Sequence, residues 1–397
     1  MRLEEVMEGS EAVALAVKAC RPQVISAFPI SPQTHIVERL ARMVSDGDLH
    51  AEYVRVESEF SAASVVSGAS LAGSRAYTAS SSQGLLLMSE VLYASAGMRL
   101  PFVMTGVNRT VSAPISIQVD HQDTVSLRDC GVIQMYVESC QEAYDAHLVA
   151  FKVAEDPRVL LPTMVCMDGW ILTHSYERVS FLAQQDVDLF LPPFKPVNYL
   201  DVDNPQSWGS YADEDVLMEF KYSVQQAMVR AKGVIKEAWE GLARLTGRDY
   251  GGLVEGYRTQ DADLILVAMG SMAGTAKEAV DKARRAGDKL GLARIRCYRP
   301  FPHEELWEIL KAAEVVAVMD ANFSMGSEGA LALDLKAKLY GRPGAPVVIP
   351  FVAGLGGREV GIETVLEMVH RARECVKKAD LPLEANWMGL NEALLPD

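Results

Sequence analysis

The chain has 397 residues, 49% of them apolar and 23% charged, an ordinary balance for a folded globular protein and enough length for two domains with separate cores. Its 38 Lys and Arg against 53 Asp and Glu leave a net charge of −15, a surface that repels phosphate backbones and anionic lipid and so argues against nucleic-acid or membrane-surface binding. No apolar stretch reaches membrane-spanning length, and the acidic opening MRLEEVMEGSE has neither signal-peptide nor transit-peptide character, so a cytoplasmic location without membrane insertion is expected.

From residue 10 to about 170, short apolar runs alternate with helical patterns, the signature of a parallel sheet covered on both faces. Strands are expected at Val24–Phe28, Tyr53–Val56, Arg75–Ala79, Pro101–Val107 and Leu160–Met167, with helices after most of them. In AFPISPQT the period changes from strand to helix, since Ile36, Val37, Leu40, Ala41 and Val44 recur at helical spacing. Ser31 is the expected N-cap, Pro32 the first helical residue, and the free amides of that turn a site for a small anion. Residues 175–255 break the rhythm with the prolines of LPPFKPVNYLDVDNP, followed by a long helix from about Val216 to Leu245. Its stripe of Phe220, Val224, Ala227, Ala231, Ile235, Ala238 and Leu242 is expected to pack along another domain or subunit, or to form an intramolecular strut.

A second α/β unit begins at Asp261 with the strand ADLILVAMG, a Gly270-Ser271 turn and a helix, then a strand at Ala293–Tyr298, the turn RPFP, a helix and a strand at Val315–Met319. Gly354-Leu355-Gly356-Gly357 lacks dinucleotide-fingerprint spacing and reads as a turn. The six cysteines (Cys20, Cys130, Cys140, Cys166, Cys297, Cys375) are scattered without a C-x-x-C, so six reduced thiols are expected, with no iron–sulfur cluster and no zinc in this chain.

Ligands of an open parallel sheet bind beyond the carboxyl ends of its strands, and four such ends are polar here. They carry Ser31; Glu57 and Glu59 at a helix start; the hydroxyl-rich TASSSQG ending at Gly84; and Asn108-Arg109. Taken singly, Ser31 is a cap, Glu59 a helix-start carboxylate and Arg109 an ion-pair residue. Together, an arginine fork and a hydroxyl-capped helix start can grip a carboxylate, and a glutamate in the same layer can serve acid–base chemistry.

The segments AFPISPQT, VESEFSAASVVSGAS, TASSSQGLLLMSEVLY, GMRLPFVMTGVNR, CYRPFP and DANFSMGSEGAL, in this order over nearly the whole chain, resemble the alpha subunit of the 2-oxoacid:ferredoxin (acceptor) oxidoreductases. The resemblance implies an α/β fold: a parallel-sheet pyrimidine-binding domain for thiamine diphosphate (1–175), an extension with the long helix (176–255), a transketolase C-terminal-like domain (256–375) and a tail (376–397). It implies oxidative decarboxylation of a 2-oxoacid to acyl-CoA and carbon dioxide, with thiamine diphosphate as cofactor and coenzyme A as cosubstrate. A beta subunit would hold the diphosphate through Mg2+, in keeping with the lack of a G-D-G motif followed by Asn-Asn here. Gamma and ferredoxin-like delta subunits would carry the iron–sulfur clusters and deliver electrons to ferredoxin or, through a further subunit, to a nicotinamide.

Residue by residue, Glu59 matches the glutamate that hydrogen-bonds the aminopyrimidine N1′, with Pro29, Ser82, Gln83 and Gly84 beside the cofactor. Arg109 matches the substrate-carboxylate arginine, with Ser31, Ile115 and Gln118 toward the substrate. Many members have threonine at Ser31, and tryptophans where this chain reads Ile115-Ser116-Ile117-Gln118. The lost bulk leaves open pyruvate or a bulkier acid, phenylglyoxylate-like or branched-chain. Two other readings are a transketolase- or dehydrogenase-type thiamine enzyme, which would share the glutamate, and a non-catalytic nucleotide-binding scaffold. The scaffold is weakened by the missing dinucleotide and P-loop motifs.

Overall fold

Each apolar run of the first half is followed by a helix that carries the chain back to the starting edge, so successive strands lie parallel. The computed structural model describes residues 3–395. The first half comprises β1 (Leu3–Glu8), α1 (Gly9–Cys20), β2 (Val24–Ala27), α2 (Thr34–Ser45), β3 (Glu52–Arg55), α3 (Glu59–Leu71), β4 (Ala76–Ser81), α4 (Ser82–Leu87), α5 (Ser89–Gly97), β5 (Val103–Asn108), α6 (Gln122–Ser126), β6 (Ile133–Tyr136), α7 (Cys140–Ala154) and β7 (Thr163–Asp168). Then come β8 (Tyr176–Phe181), α8 (Gln184–Phe190) and the long α9 (Leu217–Thr246). The second half comprises β9 (Val254–Tyr257), β10 (Leu264–Ala268), α10 (Met272–Arg285), β11 (Leu290–Ile295), β12 (Cys297–Arg299), α11 (His303–Leu310), β13 (Val315–Asp320), α12 (Ala330–Leu339), β14 (Val347–Val352), α13 (Ile362–Lys377) and β15 (Asn386–Trp387).

The first sheet has seven strands in the order β12-β6-β7-β5-β4-β2-β3, all parallel except β12. Every residue of β4, β5 and β7 is buried, as a sheet covered on both faces requires. The second sheet runs β15-β14-β13-β10-β11-β9, with only β9 antiparallel, and β1 pairs with β8 in a two-stranded ribbon. Residues of the second sheet alternate between two apolar clusters. Ile265, Val267, Val316 and Val318 join the core continuous with the first sheet, while Leu264, Leu266, Ala317 and Met319 join the core under α10 and α13.

Three expectations are altered. The strand β6 was not foreseen, because IQMY is four residues long and buries a glutamine. The stripe of α9 is buried from Ala227 to Leu242 against α7, making the helix an intramolecular strut, but Phe220 at its start is exposed. The expected strand Ala293–Tyr298 is two strands in two sheets: β11 stops at Ile295, and β12 pairs antiparallel with β6.

A buried charge cluster lies at that break. Glu142, fully buried on α7, faces Arg294 Nη2 at 2.5 Å and Arg296 Nε at 2.5 Å, both arginines being buried too. Glu138 and Glu255 stand 3.4 Å from the Arg294 guanidinium, and Lys277 Nζ joins them at 2.6 and 2.8 Å. The cluster thus sets three carboxylates against three cations, and Arg296 lies over the rings of Trp239 and Tyr250. Burial works against the charge on Glu142, but the two arginines outweigh it and hold its pKa at about 2, below the ordinary 4.5.

Among the described residues all six cysteines are free thiols, no helix is long and apolar enough to cross a membrane, and no His, Cys, Asp or Glu cluster could hold a metal ion. Glu142→Gln should cost about 3–5 kcal/mol, because it removes the closest carboxylate from two buried arginines and leaves the cluster one cation in excess. A group whose folded pKa is depressed stabilises above its unfolded pKa and stops doing so as pH falls through the folded one. Thermal midpoints measured between pH 4.5 and about 2 should therefore fall steeply for the native chain and less steeply for Glu142→Gln.

Candidate active site

The carboxyl ends of β2, β4 and β5 converge, and the residues beyond them are bound to one another. After β2, the chain makes a turn before the helix begins: Gln33 N donates to Ile30 O at 2.9 Å, and Gln33 Nε2 donates to Ala79 O at 2.7 Å. The helix α2 accordingly starts at Thr34 with Gln33 in the cap position and no side-chain cap. Ser31 is therefore not the expected N-cap, and no open helix start stands behind its hydroxyl. It lies exposed in the turn, where its backbone carbonyl accepts a hydrogen bond from Arg109 Nη1 at 2.9 Å.

After β3, Ser58 caps α3 by accepting from Ser61 N, and Glu59 is the first helical residue. Glu59 is only 8% exposed, whereas Glu57 is exposed and accepts from Ser61 Oγ. The Glu59 carboxylate lies against Gly84, where a Cβ would fall 2.5 Å from Glu59 Oε1 and 2.5 Å from Ser80 Oγ. Among the described residues no protein donor reaches that carboxylate, and the hydroxyls of Thr78, Ser80 and Ser81 on β4 are likewise buried without partners. The glycine thus leaves a recess flanked by the Glu59 carboxylate and the unpartnered Ser80 hydroxyl.

After β4, Ser82 adopts a left-handed backbone (φ 52°) and its Oγ donates to Thr110 O, while Gln83 Nε2 donates to Ser112 Oγ. After β5, Arg109 is buried and donates from Nε to Ser116 O at 2.9 Å. Two of its five N–H donors thus serve backbone carbonyls, which leaves both on Nη2 and one on Nη1 for a ligand. Burial lowers the Arg109 pKa. Pro29, Ile115 and Gln118 are exposed, Ile115 by 78%, and Gln118 packs over Gly357.

Sequence reasoning missed the groups that hold these ends in place. Asp123 Oδ2 accepts from Ser82 N at 2.9 Å and Arg109 N at 3.0 Å, and Oδ1 accepts from Thr124 N at 2.7 Å and Asn108 Nδ2 at 3.1 Å. Burial raises its pKa to about 7 against the pull of those amides. His121 Nε2 and Asp168 Oδ1 lie 2.8 Å apart, and Asp168 Oδ2 accepts from Ser271 N at 2.8 Å, across the seam between the two sheets. Burial opposes both charges of that pair, yet each raises or lowers the other toward its charged form. The one legible signal was an Asp-rich segment, DHQD, shortly after Arg109. A cavity of about 810 Å³ lined by Tyr93, Arg99, Phe194, Trp208 and Phe220 lies elsewhere, near the amino ends of the strands beside Pro101 and Leu160.

Two family models match in tandem: pyruvate flavodoxin/ferredoxin oxidoreductase, thiamine diphosphate-binding, over residues 15–240, and pyruvate:ferredoxin oxidoreductase core domain II over 262–365. The chain belongs to this oxidoreductase family. It is 47% identical to pyruvate synthase subunit PorA of Methanosarcina barkeri over 98% of this chain and 97% of that one, and 46% identical to PorA of Pyrococcus furiosus over the full length of both. Ketoisovalerate oxidoreductase subunit VorA of Pyrococcus horikoshii is 42% identical over 98% of each chain. Among solved structures, 2-oxoglutarate:ferredoxin oxidoreductase from Magnetococcus marinus, with 2-oxoglutarate, coenzyme A and succinyl-CoA bound, superposes with a TM-score of 0.72 at 20% identity, over 93% of this chain and 65% of that longer one. A split-gene transketolase superposes with a TM-score of 0.55 at 12% identity. The expected α/β fold of a thiamine diphosphate-binding unit followed by a second α/β unit is therefore correct.

A carboxylate without a protein donor beside an unpartnered hydroxyl is chemically compatible with a ring that carries both N–H donors and ring-nitrogen acceptors, as an aminopyrimidine does. Gly84→Ala should push the Glu59 carboxylate aside and cost about 1–3 kcal/mol in overpacking. Gly68→Ala, where a Cβ meets nothing within 4 Å inside α3, should be neutral or stabilising. Thermal midpoints of the two variants check this pair.

Proposed function

We propose that this chain is the subunit of a coenzyme-A-acylating 2-oxoacid oxidoreductase that supplies the pyrimidine side of the thiamine diphosphate site and the contact to the substrate carboxylate. The observation that carries this reading is the buried Glu59 carboxylate, packed on Gly84 with no protein donor among the described residues. Thiamine diphosphate, when bound, supplies the carbanion chemistry that no side chain offers. Glu59 would share a proton with the pyrimidine N1′, which accepts when neutral and donates once protonated, and so would set the protonation state of the ring. Arg109, pinned through Nε and Nη1, turns Nη2 to the carboxylate of the 2-oxoacid, with the exposed Ser31 hydroxyl beside it. Ser82 and Gln83 shape the cofactor loop through their bonds to Thr110 and Ser112, and Pro29 lies at the mouth.

The division into pyrimidine-binding domain (1–175), extension (176–255), transketolase C-terminal-like domain (256–375) and tail is part of the same proposal, as is a cytoplasmic complex. In it a beta subunit holds Mg2+ and the diphosphate. Gamma and delta subunits carry the iron–sulfur clusters toward ferredoxin or, through a further subunit, a nicotinamide. Pyruvate is the proposed substrate, supported by the subunit names of relatives at 44–47% identity. The volume argument for a bulkier acid draws no support from this chain, since Ile115 is exposed and Gln118 is taken up by Gly357.

In the purified complex, Glu59→Gln should lower coenzyme-A-dependent oxidation of pyruvate roughly a hundredfold or more, while Glu57→Gln leaves it near normal. Equal losses at both positions would defeat the assignment. Specificity constants should rank pyruvate above 3-methyl-2-oxobutanoate and phenylglyoxylate. Reversal of that order would restore the bulkier substrate.

A further inference from the structure

We propose that Asp123 is the positioning residue that sets the distance between the cofactor loop and the substrate arginine. The ladder between β4 and β5 ends with Ser81 opposite Val107. Beyond that pair the strands diverge, Ser82 into its left-handed turn and Asn108-Arg109 into the substrate loop, and no main-chain bond of the ladder spans them. Asp123 takes over: one carboxylate oxygen accepts both Ser82 N and Arg109 N, and the other accepts Asn108 Nδ2 and Thr124 N. Ser82 is two residues from Gly84, against which the Glu59 carboxylate packs, and Arg109 carries the guanidinium. A single buried side chain therefore ties the glutamate recess to the arginine.

The chemistry of the position is selective. All four partners are N–H donors and favour the ionised carboxylate, which accepts at both ends, over the neutral acid that burial favours; an amide accepts at one end only. Ser82 N and Arg109 N share one oxygen, so Asp123→Asn can keep both by turning its amide oxygen to them, with its NH2 toward Asn108 and Thr124 N. Asp123→Ser is too short to reach them and frees both strand ends.

The inference rests on the roles given to Glu59 and Arg109, and the test separates the two. Intact complexes carrying Asp123→Asn, Asp123→Ser, Glu59→Gln and Arg109→Lys are compared by amide hydrogen exchange and by pyruvate saturation kinetics. While residues 103–107 keep their protection and Asp123→Asn keeps most of it throughout, Asp123→Ser should lose it at residues 81–84 and 108–110. It should also combine a rise of about tenfold in pyruvate KM, as in Arg109→Lys, with a fall of about tenfold or more in kcat, as in Glu59→Gln. Unchanged protection at either strand end of Asp123→Ser, a change in only one kinetic parameter, or failure of both Asp123 variants to assemble would overturn the positioning role. Normal kinetics in both Glu59→Gln and Arg109→Lys, with protection lost in Asp123→Ser, would instead remove the site reading and leave Asp123 as the tie between the strand ends.

Discussion

The carboxylate of Glu142 is the contact on which the arrangement of the two halves depends. Fully buried on α7, it draws in Arg294 from the end of β11 and Arg296 from the residue just beyond, which fixes this segment against α7. Cys297–Arg299 then leaves for the edge of the first sheet. A charge group buried to this depth must be neutralised locally, and the balance of Glu138, Glu142 and Glu255 against Lys277, Arg294 and Arg296 does so. With one apolar core also shared across the halves, their mutual orientation is set by packing and charge together.

That orientation brings the carboxyl ends of β7 and β10 to a common seam, where Asp168 accepts from Ser271 and pairs with His121. The loop from Arg109 to His121 is stretched between the two sheets. It starts at the end of β5 and finishes with His121 N donating to Ala321 O, just past β13, at 2.8 Å. Within it, Thr110 N donates to Gln118 O, Trp170 Nε1 to Ile117 O and Gly357 N to Val119 O, so the backbone is held from three sides while Ile115 and Ile117 stay exposed. The Gly354–Gly357 segment, read as a turn, is a turn whose glycines take left-handed angles, and through Gly357 it clamps this loop. The guanidinium of Arg109 is thus placed by contacts from both halves of the chain.

Much of this was legible along the sequence. The strands Val24–Ala27, Glu52–Arg55, Ala76–Ser81, Val103–Asn108 and Thr163–Asp168 lie within three residues of the expected bounds, because apolar runs between helical patterns leave a parallel sheet as the way to bury them. The preference for Glu59 over Glu57 came with the resemblance; the structure puts Ser58 at the N-cap, with Glu59 inside the helix and Glu57 outside it. The resemblance supplied the roles, and it was correct about the family. Ser31 misled because a serine followed by proline matches the local cap pattern. What outweighs that pattern is the Gln33 amide bonded to Ala79, 46 residues away.

By itself, then, the sequence determined the alternation of strand and helix, the polar strand ends and the candidate trio of Glu59, Arg109 and Ser31. These are local properties, set by side-chain periodicity and by which residues follow each apolar run. Tertiary structure alone decided that the Glu59 carboxylate meets a glycine and no donor among the described residues, that two nitrogens of Arg109 are already committed, that Asp123 joins two strand ends and that β12 crosses between sheets. Each of those facts is a pairing between groups far apart in the chain. A buried charge or amide is satisfied by whatever the packing brings to it, and the order of residues carries no local mark of that partner.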